Sequence, residues 1–120
     1  MLRKRILYMQ LFSDHFIGRV VGEDKSARRD CHALENSRGD PDFSRIRETL
    51  SSLVKELALG FSLRKPAALM HFLPEHYQPT QRQLELFKST AERSGISFCW
   101  LSKWETANTD KELANVFRAL

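Results

Sequence analysis

The sequence has little of what stabilises small secreted or metal-bound domains. Its 120 residues include only two cysteines, Cys31 in a polar segment and Cys99 in an apolar one, too few for a disulfide framework. No CxxC, CxxH or HxxxH spacing occurs, so Cys31, His32, His71, His76 and Cys99 carry no zinc signature, and no metal or other cofactor is expected. No apolar run approaches the roughly 18 residues that a membrane-spanning helix needs. There is no repeat, no low-complexity tract and no linker of biased composition. Charge of one sign is also scarce: 19 Lys and Arg face 15 Asp and Glu, and the net charge of +4 is spread along the chain. Such a balance gives weak general attraction to polyanions and marks no partner.

What is present is an ordinary globular composition, 42% hydrophobic and 28% charged, which excludes wholesale disorder. A chain of this length buries a core without staples, and residues 1–120 read as one α/β domain. The basic start up to Arg5 followed by Ile6 to Phe12 has the outline of a signal peptide. Gln10 interrupts the run, Ser13-Asp14-His15 ends it and no small-residue cleavage site follows. It is therefore read as a first strand with a basic lead-in, and the expected location is the reducing cytoplasm.

Hydrophobic spacing gives the elements. Ile6 to Phe12 is apolar on both alternating faces, as in a strand covered on two sides. Ser13-Asp14-His15 is turn chemistry, and Phe16 to Val21 resumes as the second arm of a hairpin that closes at Gly22. A third strand at the sheet edge, around Ala27 to Leu34, would carry Arg28, Arg29 and Asp30, charges that discourage aggregation. Asn36 to Asp40 is a loop, and Asp40-Pro41 reads as a helix start, with proline at the first helical position. Phe43, Ile46, Leu50, Leu53, Val54 and Leu57 then recur at helical spacing to about Leu59, with Gly60 as the stop.

The remaining chain alternates strand and helix. Ala67 to Leu73 is a short apolar run ending at Pro74, the pattern of a buried parallel strand. Thr80-Gln81-Arg82-Gln83 matches a capping box, and Leu84, Phe87 and Ala91 line a helix that stops at Ser94-Gly95. Ile96 to Leu101 is another buried strand, and Thr109 to Glu112 is a second capping box opening a last helix. The order β-β-β-α-β-α-β-α predicts a five-stranded mixed sheet with helices on its faces, the ribonuclease-H-like arrangement shared by each half of actin-like ATPases.

Three stretches carry a resemblance. Ala67 to Pro74, the helix ending Ala91-Glu92-Arg93-Ser94-Gly95, and Ile96 to Leu101, together with the placement of the opening hairpin, resemble bacterial actin-like proteins of the rod-shape-determining MreB type over about two-thirds of the chain. The resemblance implies one half of an actin-like fold and a setting in cell shape or envelope assembly. In that family a glycine-rich turn with an acid between the first two strands brings bare backbone N–H groups to the nucleotide phosphates. Here the turn is Ser13-Asp14-His15-Phe16: Asp14 is in the general region, no glycine accompanies it, and bulky His15 follows. With one half only and no phosphate loop, the parts for ATP hydrolysis are missing. The sequence does not decide whether the chain is an enzyme, and the missing parts weigh against it.

Other constellations are weaker. A two-metal nuclease would need carboxylates such as Asp14, Glu48 and Glu75 to converge, yet Asp14 suits a turn and Glu48 an exposed helix face. Cys99, flanked by Phe98 and Trp100, reads as inert core, and His71 as a core histidine whose partner would be a backbone carbonyl or carboxylate. Arg3, Lys4, Arg5, Arg28 and Arg29, with Tyr8 or Phe16 for stacking, form a candidate nucleic-acid surface offset by Glu23, Asp24 and Asp30. The loop Pro74 to Pro79 follows the carboxyl end of a parallel strand, where open α/β sheets bind ligands. Glu75, His76 and Tyr77 there, with Lys103 and Trp104 after the next strand, make a candidate binding rim. The leading expectation is a non-catalytic domain acting through a protein partner. The alternatives are a basic nucleic-acid module and a small-ligand site at the rim.

Overall fold

The computed structural model describes residues 6–34, 40–57, 66–74 and 77–102. The expected last helix with its Thr109 capping box, the Gly60 helix stop, and the candidate residues Arg3, Lys4, Arg5, Glu75, His76, Lys103 and Trp104 lie outside them.

The described chain is α/β. Its strands are β1 (Ile6–Leu11), β2 (His15–Val20), β3 (Ser26–Asp30), β4 (Ala67–Phe72) and β5 (Phe98–Ser102), with helix α1 (Phe43–Leu57) before β4 and helix α2 (Gln81–Arg93) before β5. They form one mixed sheet in the order β3-β2-β1-β4-β5. β1 is antiparallel to β2 with Met9 opposite Gly18, and β2 is antiparallel to β3. β1 is parallel to β4 with Tyr8 opposite Leu69, and β4 is parallel to β5.

The two faces of the sheet are different. Leu7, Met9, Leu11, Phe16, Val20, Ala68, Met70 and Phe72 face Ile46, Leu50, Leu53, Leu57, Phe87 and Ala91 of the helices in the main core. Tyr8, Ala67 and Leu69 form a smaller buried cluster with Ile6 and Val21 around it. Because successive residues of a strand point to opposite faces, burial of Leu7, Tyr8 and Met9 alike means β1 is covered on both sides, as its pattern predicts. All six residues of β4 are buried, which fits its unbroken apolar run.

Local chemistry fixes the helix ends. In α2, Gln83 N–H donates to Thr80 Oγ1 at 3.1 Å and Thr80 N–H donates to Gln83 Oε1 at 2.9 Å, the reciprocal box read from the sequence. At its other end Gly95 takes φ +101°, Ile96 N–H donates to Ala91 O and Gly95 N–H donates to Glu92 O. This Schellman turn needs glycine's freedom at the left-handed position. The start of α1 corrects the reading of Asp40-Pro41. Asp42 is the cap: its carboxylate accepts from Arg45 N–H at 3.2 Å and its carbonyl from Ile46 N–H at 3.0 Å. Asp42 N–H donates to Ala33 O at 2.8 Å. That tie to the chain leaving β3 fixes which of two equally suitable aspartates opens the helix.

α1 sits very close to the sheet. A β-carbon built on Gly18 of β2 would lie 2.6 Å from Leu57 Cδ1 and 3.0 Å from the sulfur of Met9, so the missing side chain is what admits the helix.

Candidate functional site

The corner between β1 and β2 is where an actin-like chain would meet phosphate. Phe12 N–H donates to His15 O at 2.9 Å and closes the turn. His15 Nδ1 and Asp14 Oδ1 are 2.5 Å apart, and the His15 ring stacks on Phe12 with centroids 4.3 Å apart and planes 9° from parallel. The hydrogen bond from His15 holds the Asp14 carboxyl below its ordinary range, aided by the charges of His15 and Arg28 and opposed by slight desolvation. The carboxylate is turned onto its own neighbour in an exposed turn, and the His15 ring lies flat on Phe12.

The candidate basic surface divides. In β3 the side chains of Arg28 and Arg29 leave opposite faces of the sheet, as adjacent residues of a strand must. Arg29 turns toward α1: Nε donates to Ser52 Oγ at 2.9 Å, Nη2 to Glu56 Oε1 at 2.7 Å and Nη1 to the carbonyl of Arg28 at 2.9 Å. Its guanidinium is a structural tie between β3 and α1. Arg28 stays exposed, with Asp30 3.6 Å away on the same face. The two arginines therefore do not form a joint phosphate clamp. Tyr8, named as a stacking residue, is fully buried, as is Phe16, and neither offers a face to a base.

At the carboxyl end of β4, Leu73 N–H donates to Leu11 O and Tyr77 N–H to Pro74 O, each at 3.1 Å. Tyr77 is buried, its ring 5.6 Å from Phe72 and 6.5 Å from Phe87. The one rim residue that is described thus packs the core beside α2 and presents no exposed contact. Of the carboxylates considered for a two-metal centre, Asp14 lies in the hairpin turn and Glu48 on the exposed side of α1. Among the described residues no three His, Cys, Asp or Glu side chains converge.

His71 is buried as expected. On the second face of the sheet, its Nδ1 lies 2.6 Å from the phenol of Tyr8, a residue 63 positions away and equally buried. Their rings stack with centroids 5.9 Å apart, and the Arg19 guanidinium sits 5.4 Å from the other ring, that of Tyr8. The pair locks β1 to β4 at the centre of the sheet. Sequence reasoning missed it, although the available signal was the matching alternation that puts both residues on the same face.

The cysteines are chemically quiet. Cys31 is buried, with the Thr49 hydroxyl donating to its sulfur at 3.4 Å. Burial pushes the Cys99 thiol up to about 12, against a small opposing effect of Lys88, so it is almost wholly protonated at neutral pH and no nucleophile.

The described surface also has a shallow groove along α1, lined by Ser44, Arg47, Glu48, Ser51, Ser52 and Lys55. Its mixed polar lining selects no ligand class. No helix among the described residues is long and apolar enough to cross a membrane. Set against known protein families and against characterised proteins, the sequence matches none.

Proposed function

We propose that this chain is a ribonuclease-H-like domain, similar to one half of an actin-like protein, that performs no catalysis and acts through contacts with other proteins in cell-shape or envelope assembly. The observation that carries the reading is the corner between β1 and β2. An antiparallel hairpin followed by parallel strands, in the order β3-β2-β1-β4-β5, supports the half-fold. At the point where that arrangement would cradle phosphate, a glycine-free turn pairs Asp14 with His15. A carboxylate already held by a neighbouring ring, without a nest of backbone donors, supplies neither phosphate binding nor in-line hydrolysis.

Binding of a fluorescent ATP analogue with magnesium, followed by phosphate release, tests the non-catalytic half of the proposal. The expected result is no saturable binding and no release above buffer; saturable binding with turnover overturns it. Cross-linking in the native cell followed by mass spectrometry tests the other half. Cross-links from this chain to defined protein surfaces are expected, and their absence above an uncross-linked control contradicts it. The nucleic-acid alternative gains nothing from Arg28 and Arg29, which diverge.

A further inference from the structure

We propose that the exposed edge of β3 pairs with β3 of a second copy of this chain, joining two sheets into one across a two-fold axis that passes through Arg29. This names one partner for the protein-contact reading, and stands or falls separately from the absence of nucleotide chemistry.

The argument begins with the ladder. Val20 N–H donates to Lys25 O at 2.9 Å and Cys31 N–H to Asp14 O at 3.0 Å. With Gly18 opposite Ala27 and Phe16 opposite Arg29, these bonds fix which residues of β3 face inward. In an antiparallel ladder, alternate residues direct both backbone groups to the same neighbour. Lys25, Ala27, Arg29 and Cys31 therefore bond toward β2, and Ser26, Arg28 and Asp30 direct their N–H and C=O groups out of the sheet. Ser26, Arg28 and Asp30 are all exposed. Of their outward groups, only the Arg28 carbonyl has a partner among the described residues, the Arg29 guanidinium, and a carbonyl accepts two hydrogen bonds. An edge with open donors and acceptors is a template for another strand.

Charge then selects the occupant. Arg28 and Asp30 are opposite in sign, two residues apart and on the same face, with side chains 60% and 83% exposed. In an antiparallel pair centred on Arg29, the Arg28 of each copy stands directly opposite the Asp30 of the other. Each pairing exchanges both backbone hydrogen bonds and sets opposite charges within about 5.5 Å at Cβ. Shifting the axis to Arg28 would oppose two arginines and shifting it to Asp30 two aspartates; the axis through Arg29 also opposes two arginines, but each of these is already paired with Glu56 of its own α1 at 2.7 Å, so this register carries the least uncompensated like charge of the three. The strand is its own complement.

The helices fit the same axis. α1 packs on β2 and β3 together, so both copies of α1 lie on one face of the joined sheet. With strands about 4.8 Å apart, two helices each centred between β2 and β3 stand about 10 Å from one another, an ordinary helix-packing distance.

Sedimentation or light scattering of the full chain across a concentration series tests this. The expected result is a mass rising from the 14.0 kDa chain to twice that value, with dimer lost in Arg28→Asp and in Asp30→Arg and regained in the double exchange Arg28→Asp/Asp30→Arg. Arg28→Pro removes an outward N–H that no bond among the described residues uses, so this variant is expected to stay folded by circular dichroism and to sediment as a monomer. Monomer at every concentration in the native protein overturns the proposal. So does a dimer that survives both Arg28→Pro and the single charge reversals, which would place the contact on another surface.

Discussion

Replacing Gly18 with alanine adds one methyl group to the place where helix and sheet approach most closely. The new carbon would stand 2.6 Å from Leu57 Cδ1 and 3.0 Å from the Met9 sulfur, whereas carbon atoms in favourable contact sit about 3.5–4.0 Å apart. About 1 Å must be found at Leu57. Both Leu57 and Met9 are fully buried, so neither can swing into solvent; the flexible thioether can yield, the helix-borne leucine far less. Overpacking of this kind costs about 1–3 kcal/mol, against about 0.5–1 kcal/mol gained by removing a glycine from a regular element. The expected net loss is about 1–2 kcal/mol, seen in urea unfolding followed by circular dichroism as a lower midpoint with an unchanged slope. Leu57→Ala alone should cost about 2–5 kcal/mol by leaving a cavity. In the double variant the alanine at 18 partly fills that cavity, so the two losses should sum to more than the measured one by at least about 0.5 kcal/mol. Strict additivity, or a Gly18→Ala protein as stable as the native one, refutes the close approach of α1 to β2.

Tyr8→Phe removes the phenol facing His71 Nδ1 and should destabilise by about 1–3 kcal/mol; a double-variant cycle with His71→Leu should show coupling between the sites, and independent effects would contradict the pairing. The Asp14 carboxyl, followed by carbon NMR, should titrate below its ordinary value of 3.8 and move back up in His15→Ala. Because its folded value is depressed, any stability it confers is present above the unfolded value and lost as the pH falls through the folded one; a rise in titration midpoint above 3.8 in the native protein would reverse that sign. Cys99, protonated and buried, should resist a thiol reagent at pH 8 in the folded protein and react on unfolding, and rapid modification of the native thiol would contradict its placement.

Much of the architecture was legible because the sequence states it locally. Thr80 and Gln83 carry both halves of a capping box within one turn, Gly95 supplies the only residue type at home in its backbone conformation, and Ala67 to Phe72 is apolar on both faces because both are covered. What escaped depends on contacts between elements. Asp40 and Asp42 are equivalent as caps until Asp42 is tied to Ala33. Tyr77 in a proline-flanked loop looks like a surface residue until Phe72 and Phe87 meet its ring. Arg28 and Arg29, adjacent in sequence, look like one basic patch until strand geometry sends one to α1 and the other to solvent. In each case the deciding contact is a tertiary one, between elements, which local periodicity does not state.

The functional reading and the self-association both stand on β1 lying between an antiparallel β2 and a parallel β4, and proton–proton contacts in an NMR spectrum report this directly. Where antiparallel partners do not exchange hydrogen bonds their α-protons nearly touch, so strong α-proton contacts are expected between Met9 and Gly18, between Leu11 and Phe16, and between Ile17 and Arg28. Strong contacts at those three pairs uphold the order β3-β2-β1; their absence, or contacts that place β4 beside β2 where the structure has it beside β1, contradict the strand order.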